Sequence, residues 1–178
     1  LKIITSLTSK QQEFSFITIQ MESSMIIHLF ILNDVEINCM DSDVLITKNS
    51  LKNIKGVGIY IKENCMATIE DNKISNSETC SIASYKAQHL EINRTEIDGC
   101  KLFGIRVTVT KSCLIQNTKI SNVQFDAIQC RNNSKITVIN CAISHVNMNA
   151  FFSFVGGFIT AENNRIEYVR QSMAKLTF

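Results

Sequence analysis

Proline and tryptophan are missing from this 178-residue chain, and glycine occupies only 6 positions. Corners made by proline or by glycine-rich loops are therefore excluded, and so is the glycine loop that cradles a phosphate. No apolar run approaches the length needed to cross a bilayer, so no membrane span is expected. Concentrated charge is missing as well. The 18 basic and 16 acidic residues are interspersed and leave a net charge of +2, which argues against a nucleic-acid partner needing a strong basic face. There is no C-x-x-C pair, and the seven cysteines are an odd number. Free, buried thiols packing as small hydrophobes are expected instead, and reduced thiols favour an intracellular setting. No cofactor is implied.

Isoleucine and asparagine are abundant, with 26 and 17 residues. Isoleucine favours strands and asparagine favours turns, so the chain reads as many short strands joined by polar corners. The spacing makes this specific. Leu51, Ile74, Ile97, Ile120, Ile143 and Ile166 follow one another at steps of 23 residues, without insertion or deletion. Two positions earlier stand Asn49, Asn72, Thr95, Thr118, Cys141 and Asn164. Five earlier stand Ile46, Ile69, Ile92, Ile115, Val138 and Ala161. Eight later come Ile59, Ile82, Ile105, Ile128, Phe151 and Ala174, mostly after a small residue. Such a period marks a solenoid.

Two solenoids compete for this pattern. The string from Leu90 to Ile97 also fits the core of a leucine-rich repeat, which needs an apolar residue three places before the first strand position. That column holds Asn64, Ala87, Thr110, Asn133 and Gly156, which are polar or small. The same stretch carries a further strand with two-residue alternation, as in Gly-Ile-Arg-Val at 104–107. Three strands per turn predict an all-β, right-handed parallel β-helix with 23-residue turns. Residues 44–178 form its regular turns, and residues 1–43 are read as irregular turns at the N-terminal end. Within them Lys2 to Leu7 and Phe14 to Met21 read as strands. Val35 and Ile37 are matched to Ile59 and Ile61 with one extra residue, which gives Ile27 the anchor place and sets Phe30 three beyond it. The chain is expected to be a fragment of a longer one, and an uncapped last turn with Leu176 and Phe178 is expected to make it aggregate or pair end to end.

The Asn-x-Ile string, the small residue plus Ile eight further on, and the next Ile-x-x-Asn-x-Ile resemble the parallel β-helix repeat family. That family includes pectate-lyase-like enzymes, sugar-binding and hydrolysis domains, and the substrate-binding region of F-box β-helix proteins. The resemblance implies a fold more than a function, because one fold hosts many activities.

Stacking like residues about 4.8 Å apart turns each sequence column into a stripe on the surface. The asparagine corner should hold at Asn49 and Asn72, break at Thr95, Thr118 and Cys141, and resume at Asn164. On the strand after the small-Ile step, the outward columns are Tyr60, Ala83, Arg106, Gln129, Phe152, Lys175 and Lys62, Tyr85, Thr108, Arg131, Phe154, Thr177. None of these twelve is a carboxylate, whereas glycoside hydrolysis needs two carboxyls within about 5–10 Å. Tyr60, Tyr85, Arg106, Gln129, Arg131, Phe152 and Phe154 are therefore the candidate binding residues, and no catalytic or metal residue is assigned. Aromatic residues and arginine dominate protein-binding hot spots, so a protein or peptide partner is expected, with a glycan as the alternative. The competing enzyme reading rests on Glu70, Glu91, Asp98 and Asp126.

Overall fold

The structure is a computed structural model that describes residues 15–20, 25–27, 31–33 and 35–177. The sequence-predicted strand Lys2 to Leu7, together with Phe30 and Phe178, lies outside the described residues. Every element among the described residues is a β-strand, and the strands form three parallel sheets. Sheet A has eight strands, including Ile59–Ile61, Cys80–Tyr85, Phe103–Thr108, Ile128–Arg131 and Asn149–Phe154. Sheet B has seven, among them Met66–Glu70, His89–Asn93 and Ser112–Gln116. Sheet C also has seven, among them Lys73–Ser77, Glu96–Cys100 and Lys119–Val123. The chain visits B, C and A in turn and then begins the next coil. No helix covers a convex side among the described residues, which removes the leucine-rich alternative.

Register follows the 23-residue step. Ile97 pairs with Ile74 and Ile120 in sheet C, Ile92 with Ile69 and Ile115 in sheet B, and Ile105 with Ile82 and Ile128 in sheet A. No coil can bury its apolar side alone, so stacking creates one continuous core in which these nine isoleucines are at most 1 % exposed. The expected register before residue 44 is corrected. Ile37 pairs with Ile59, one residue short of the 23-residue step, rather than with Ile61 at one residue more, and Leu32, not Ile27, pairs with the anchor Leu51. Ile27 pairs instead with Ile46. The early coils are shorter, not longer, than the regular ones.

The corners explain the asparagines. One corner runs Lys48, Asp71, Arg94, Asn117, Asn140, Asn163, and another runs Asn53, Asn76, Gly99, Asn122, His145, Tyr168. Every one of these residues has φ between 46° and 76°, the left-handed region that asparagine and glycine tolerate best. Between them lies the buried ladder. Asn72 Oδ1 accepts from the backbone N–H and the side-chain amide of Asn49, both at 2.9 Å. Its own amide donates to the carbonyls of Ile46 and Glu70. Thr118 and Thr95 hydroxyls donate only to the chain two residues back, the cross-coil bond lengthens to 3.5 Å from the Thr95 N–H to the Thr118 hydroxyl, and Asn164 restores it by accepting from the Cys141 N–H at 2.8 Å.

All seven cysteines are free and buried. Burial pushes the thiols of Cys39 and Cys80 up to about 12.

Candidate functional site

The outward side of sheet A is built by a break in strand alternation. Two consecutive positions, Gly104–Ile105 and Ala127–Ile128, both point into the core and are buried. The residue before each pair therefore returns to the outer side. At Gly104 the inward path is so close to the next coil that a Cβ would stand 2.6 Å from the Ala127 carbonyl.

The predicted columns are in register. Tyr60 pairs with Ala83, Ala83 with Arg106, Arg106 with Gln129, Gln129 with Phe152, and Phe152 with Lys175. Tyr85, Thr108, Arg131, Phe154 and Thr177 follow in the same way. Tyr60, Tyr85, Arg106, Arg131, Phe152 and Phe154 are half-buried, while Gln129 is buried, 5 % exposed.

Cations and rings are matched along this side. Lys62 Nζ lies 4.9 Å over the Tyr60 ring and Lys86 Nζ 5.0 Å over Tyr85. The guanidinium of Arg106 lies 5.4 Å over Phe103, and that of Arg131 lies 5.3 Å over Phe154. Each contact contributes about 0.5–2 kcal/mol and holds a long side chain in place. Phe103 meets Phe125 edge to face at 6.1 Å, and Phe152 and Phe154 stack at 6.3 Å.

A third outward column went unread in the sequence. It brings Phe103, Asp126 and Asn149 to the start of the sheet A strands, and with Asp126 it adds a carboxylate to the face. Asp126 is buried and fully engaged. Its Oδ1 accepts from the backbone N–H and side-chain amide of Asn149, and its Oδ2 accepts from Gln129 Nε2 at 3.2 Å. An ionised carboxylate only accepts, so both amides must turn their NH2 groups toward it. Their oxygens, Gln129 Oε1 and Asn149 Oδ1, are consequently buried without a partner, and so is Arg131 Nε. Buried polar atoms of this kind are uncommon and call for an explanation. The paired inward positions were the signal that could have revealed this column.

The other carboxylates do not converge. Glu70 is held by Arg94 at 2.8 Å, and Glu91 accepts from Gln116 at 3.0 Å, both on sheet B. Asp98, on sheet C, accepts from Ser121 and Asn122 at 2.7 Å each. Arg94 also grips Asp71 and holds that carboxyl below its ordinary range.

A recess of about 590 Å³ lies elsewhere, along the corner from sheet C to sheet A, and includes Asn53, Asn76, Glu78 and Lys101. Its polar groups satisfy one another: Asn76 donates to Asn53 and Lys101 to Glu78. Of the four buried side-chain atoms without a partner among the described residues, Thr79 Oγ1 lies at this same corner and the other three belong to sheet A strands.

A search of curated proteins finds no match. A solved structure, the catalytic domain of a GH87 alpha-1,3-glucanase in complex with nigerose, is similar at 12% identity and a TM-score of 0.30, over 83% of this chain and 48% of that one. This chain therefore spans about half the length of that protein. The sequence model described as "Right handed beta helix region" matches residues 35–174, most of the chain, and the protein belongs to that family.

Proposed function

We propose that this β-helix is a non-catalytic recognition platform whose sheet A side binds a protein or peptide partner within a larger protein. The row of four cation–π pairs carries this reading. Rings and guanidinium groups already locked against each other lose little freedom on binding, which is what makes such residues effective anchors. A hydrolytic role has less support, because Glu70, Glu91, Asp98 and Asp126 are distributed over three sheets and each is tied to its own partner.

A glycan is the second reading. Its support is the Phe152–Phe154 stack, a flat apolar platform with Arg131 and Gln129 beside it in the register.

The test compares the native chain with an Arg106→Ala, Arg131→Ala, Phe152→Ala triple variant on peptide and glycan arrays, with circular dichroism to verify the fold. Peptide capture by the native chain that disappears in a folded triple variant is the expected result. Unchanged capture would remove this side from consideration. Capture of oligosaccharides alone would transfer the assignment to the glycan reading.

A further inference from the structure

Resting on that platform reading, we infer that the occupant of the sheet A side is an acidic peptide segment in extended conformation. Its carboxylates meet the guanidinium groups of Arg106 and Arg131.

Charge complementarity is the first ground. Several other basic side chains are paired with acids: Arg94 with Glu70 and Asp71, Lys86 with Glu63, Lys101 with Glu78, Lys119 with Glu96 and Arg165 with Glu167. Among the described residues no carboxylate forms an ion pair with Arg106 or Arg131. The three outward columns of sheet A contain Lys62, Arg106, Arg131 and Lys175 against a single acid, Asp126, whose oxygens are occupied. These columns therefore carry a local positive excess. Arginine's fork suits a carboxylate, and a ring beneath each guanidinium leaves its edge free to donate.

Exclusion of the opposite charge is the second. Asp126 gives its oxygens to Asn149 and Gln129, so a cationic ligand would find no free carboxylate there and would be repelled by the two arginines.

Geometry is the third. Arg106 and Arg131 are one coil and two residues apart, about 8 Å between backbones. Side chains two residues apart on an extended peptide are about 7 Å apart, which the long arginine side chains accommodate. From Lys62 to Lys175 the side covers five coil steps, about 24 Å, or roughly seven extended residues.

The experiment uses the 178-residue chain and fluorescence anisotropy with three labelled probes. These are a degenerate nonapeptide pool with Glu at alternate positions, the same pool with Lys there, and a ten-nucleotide oligouridylate. The Glu pool should bind, weaken about tenfold between 50 and 500 mM salt, and weaken at least about tenfold in an Arg106→Glu, Arg131→Glu variant. An Arg94→Glu variant, altered in a cation that already has its acids, should bind as the native chain does. Equal binding of the Lys pool, tighter binding of the oligouridylate, or indifference to the two arginine changes would each overturn the inference. If peptides of neutral sequence bind, and do so through Phe152 and Phe154, the platform reading stands and only its acidic occupant falls.

Discussion

Asn149 gives both of its donors to one oxygen of Asp126, in the coil before it. The backbone N–H reaches Asp126 Oδ1 at 3.2 Å and the side-chain amide at 2.7 Å. Gln129 occupies the other oxygen, so this carboxylate binds two coils together at the edge of the proposed binding side. Asp126→Ala would leave three buried donors with nothing to meet. A loss of about 3 kcal/mol in urea unfolding is expected, beyond what removing a surface acid would do. A loss under about 0.5 kcal/mol would mean that water replaces the carboxylate and that the site is wetter than its packing indicates.

The asparagine ladder makes a prediction in the stabilising direction. Asn72 accepts twice from Asn49 and donates twice to backbone carbonyls while 1 % exposed. Thr95, one coil on, keeps only a bond to the Asn93 carbonyl and a long contact from its N–H to the Thr118 hydroxyl. Thr95→Asn places an amide where the ladder breaks, with its oxygen toward Asn72 and its NH2 toward the carbonyls of Ile69 and Asn93. The variant should gain about 1 kcal/mol, and Asn72→Ala should lose about 3 kcal/mol, both read from urea midpoints.

What the sequence could disclose follows from these interactions. Columns at a constant step were legible because a parallel solenoid repeats its environment every coil, so Ile74, Ile97 and Ile120 announce one another. The ladder's break at Thr95 and its return at Asn164 were legible for the same reason. The early register was not, since Ile37 and Leu32 belong to coils of a different length and periodicity is silent once the period changes. The Asp126 column was hidden by local geometry. Strict two-residue alternation puts Asp126 and Gln129 on opposite sides of a strand, and only the pair of inward residues between them brings both to the outer side.

Backbone conformation gives another test. Val109 and Val155 stand in a corner column with Lys86 and Asn132, at φ of 54° and 49°. A β-branched side chain in the left-handed region is strained by roughly 1–2 kcal/mol, whereas asparagine is tolerated there. Both valines are exposed, 40% and 46%, so little packing is lost on replacement. Val109→Asn should stabilise by about 1 kcal/mol and raise the Tm by about 3 °C, and Val155→Asn should add a similar increment. Calorimetry showing lower Tm values would contradict the strained corner.

The buried thiols set an alkaline limit. Burial raises Cys39 and Cys80 to about 12 and Cys130 to about 11, because a thiolate in the core has lost its water. An unfolded chain ionises the same thiols near 8.5. Below that pH both states are protonated, and the thiols' contribution to stability is fully present. Above it the unfolded state sheds protons that the folded state keeps, so stability falls as pH rises from about 8.5 toward 12. Each such thiol removes up to about 1.4 kcal/mol per pH unit in that window. Urea midpoints measured between pH 8 and 10.5 should decline, and a Cys39→Ala, Cys80→Ala variant should decline less steeply, which separates the thiols from lysine and tyrosine titration. Iodoacetamide at pH 8 should leave all seven cysteines unmodified in the folded protein within minutes and alkylate them in urea. Rapid modification of the folded chain would show that the core opens on that timescale, and the continuous isoleucine stack could not then be the source of its stability.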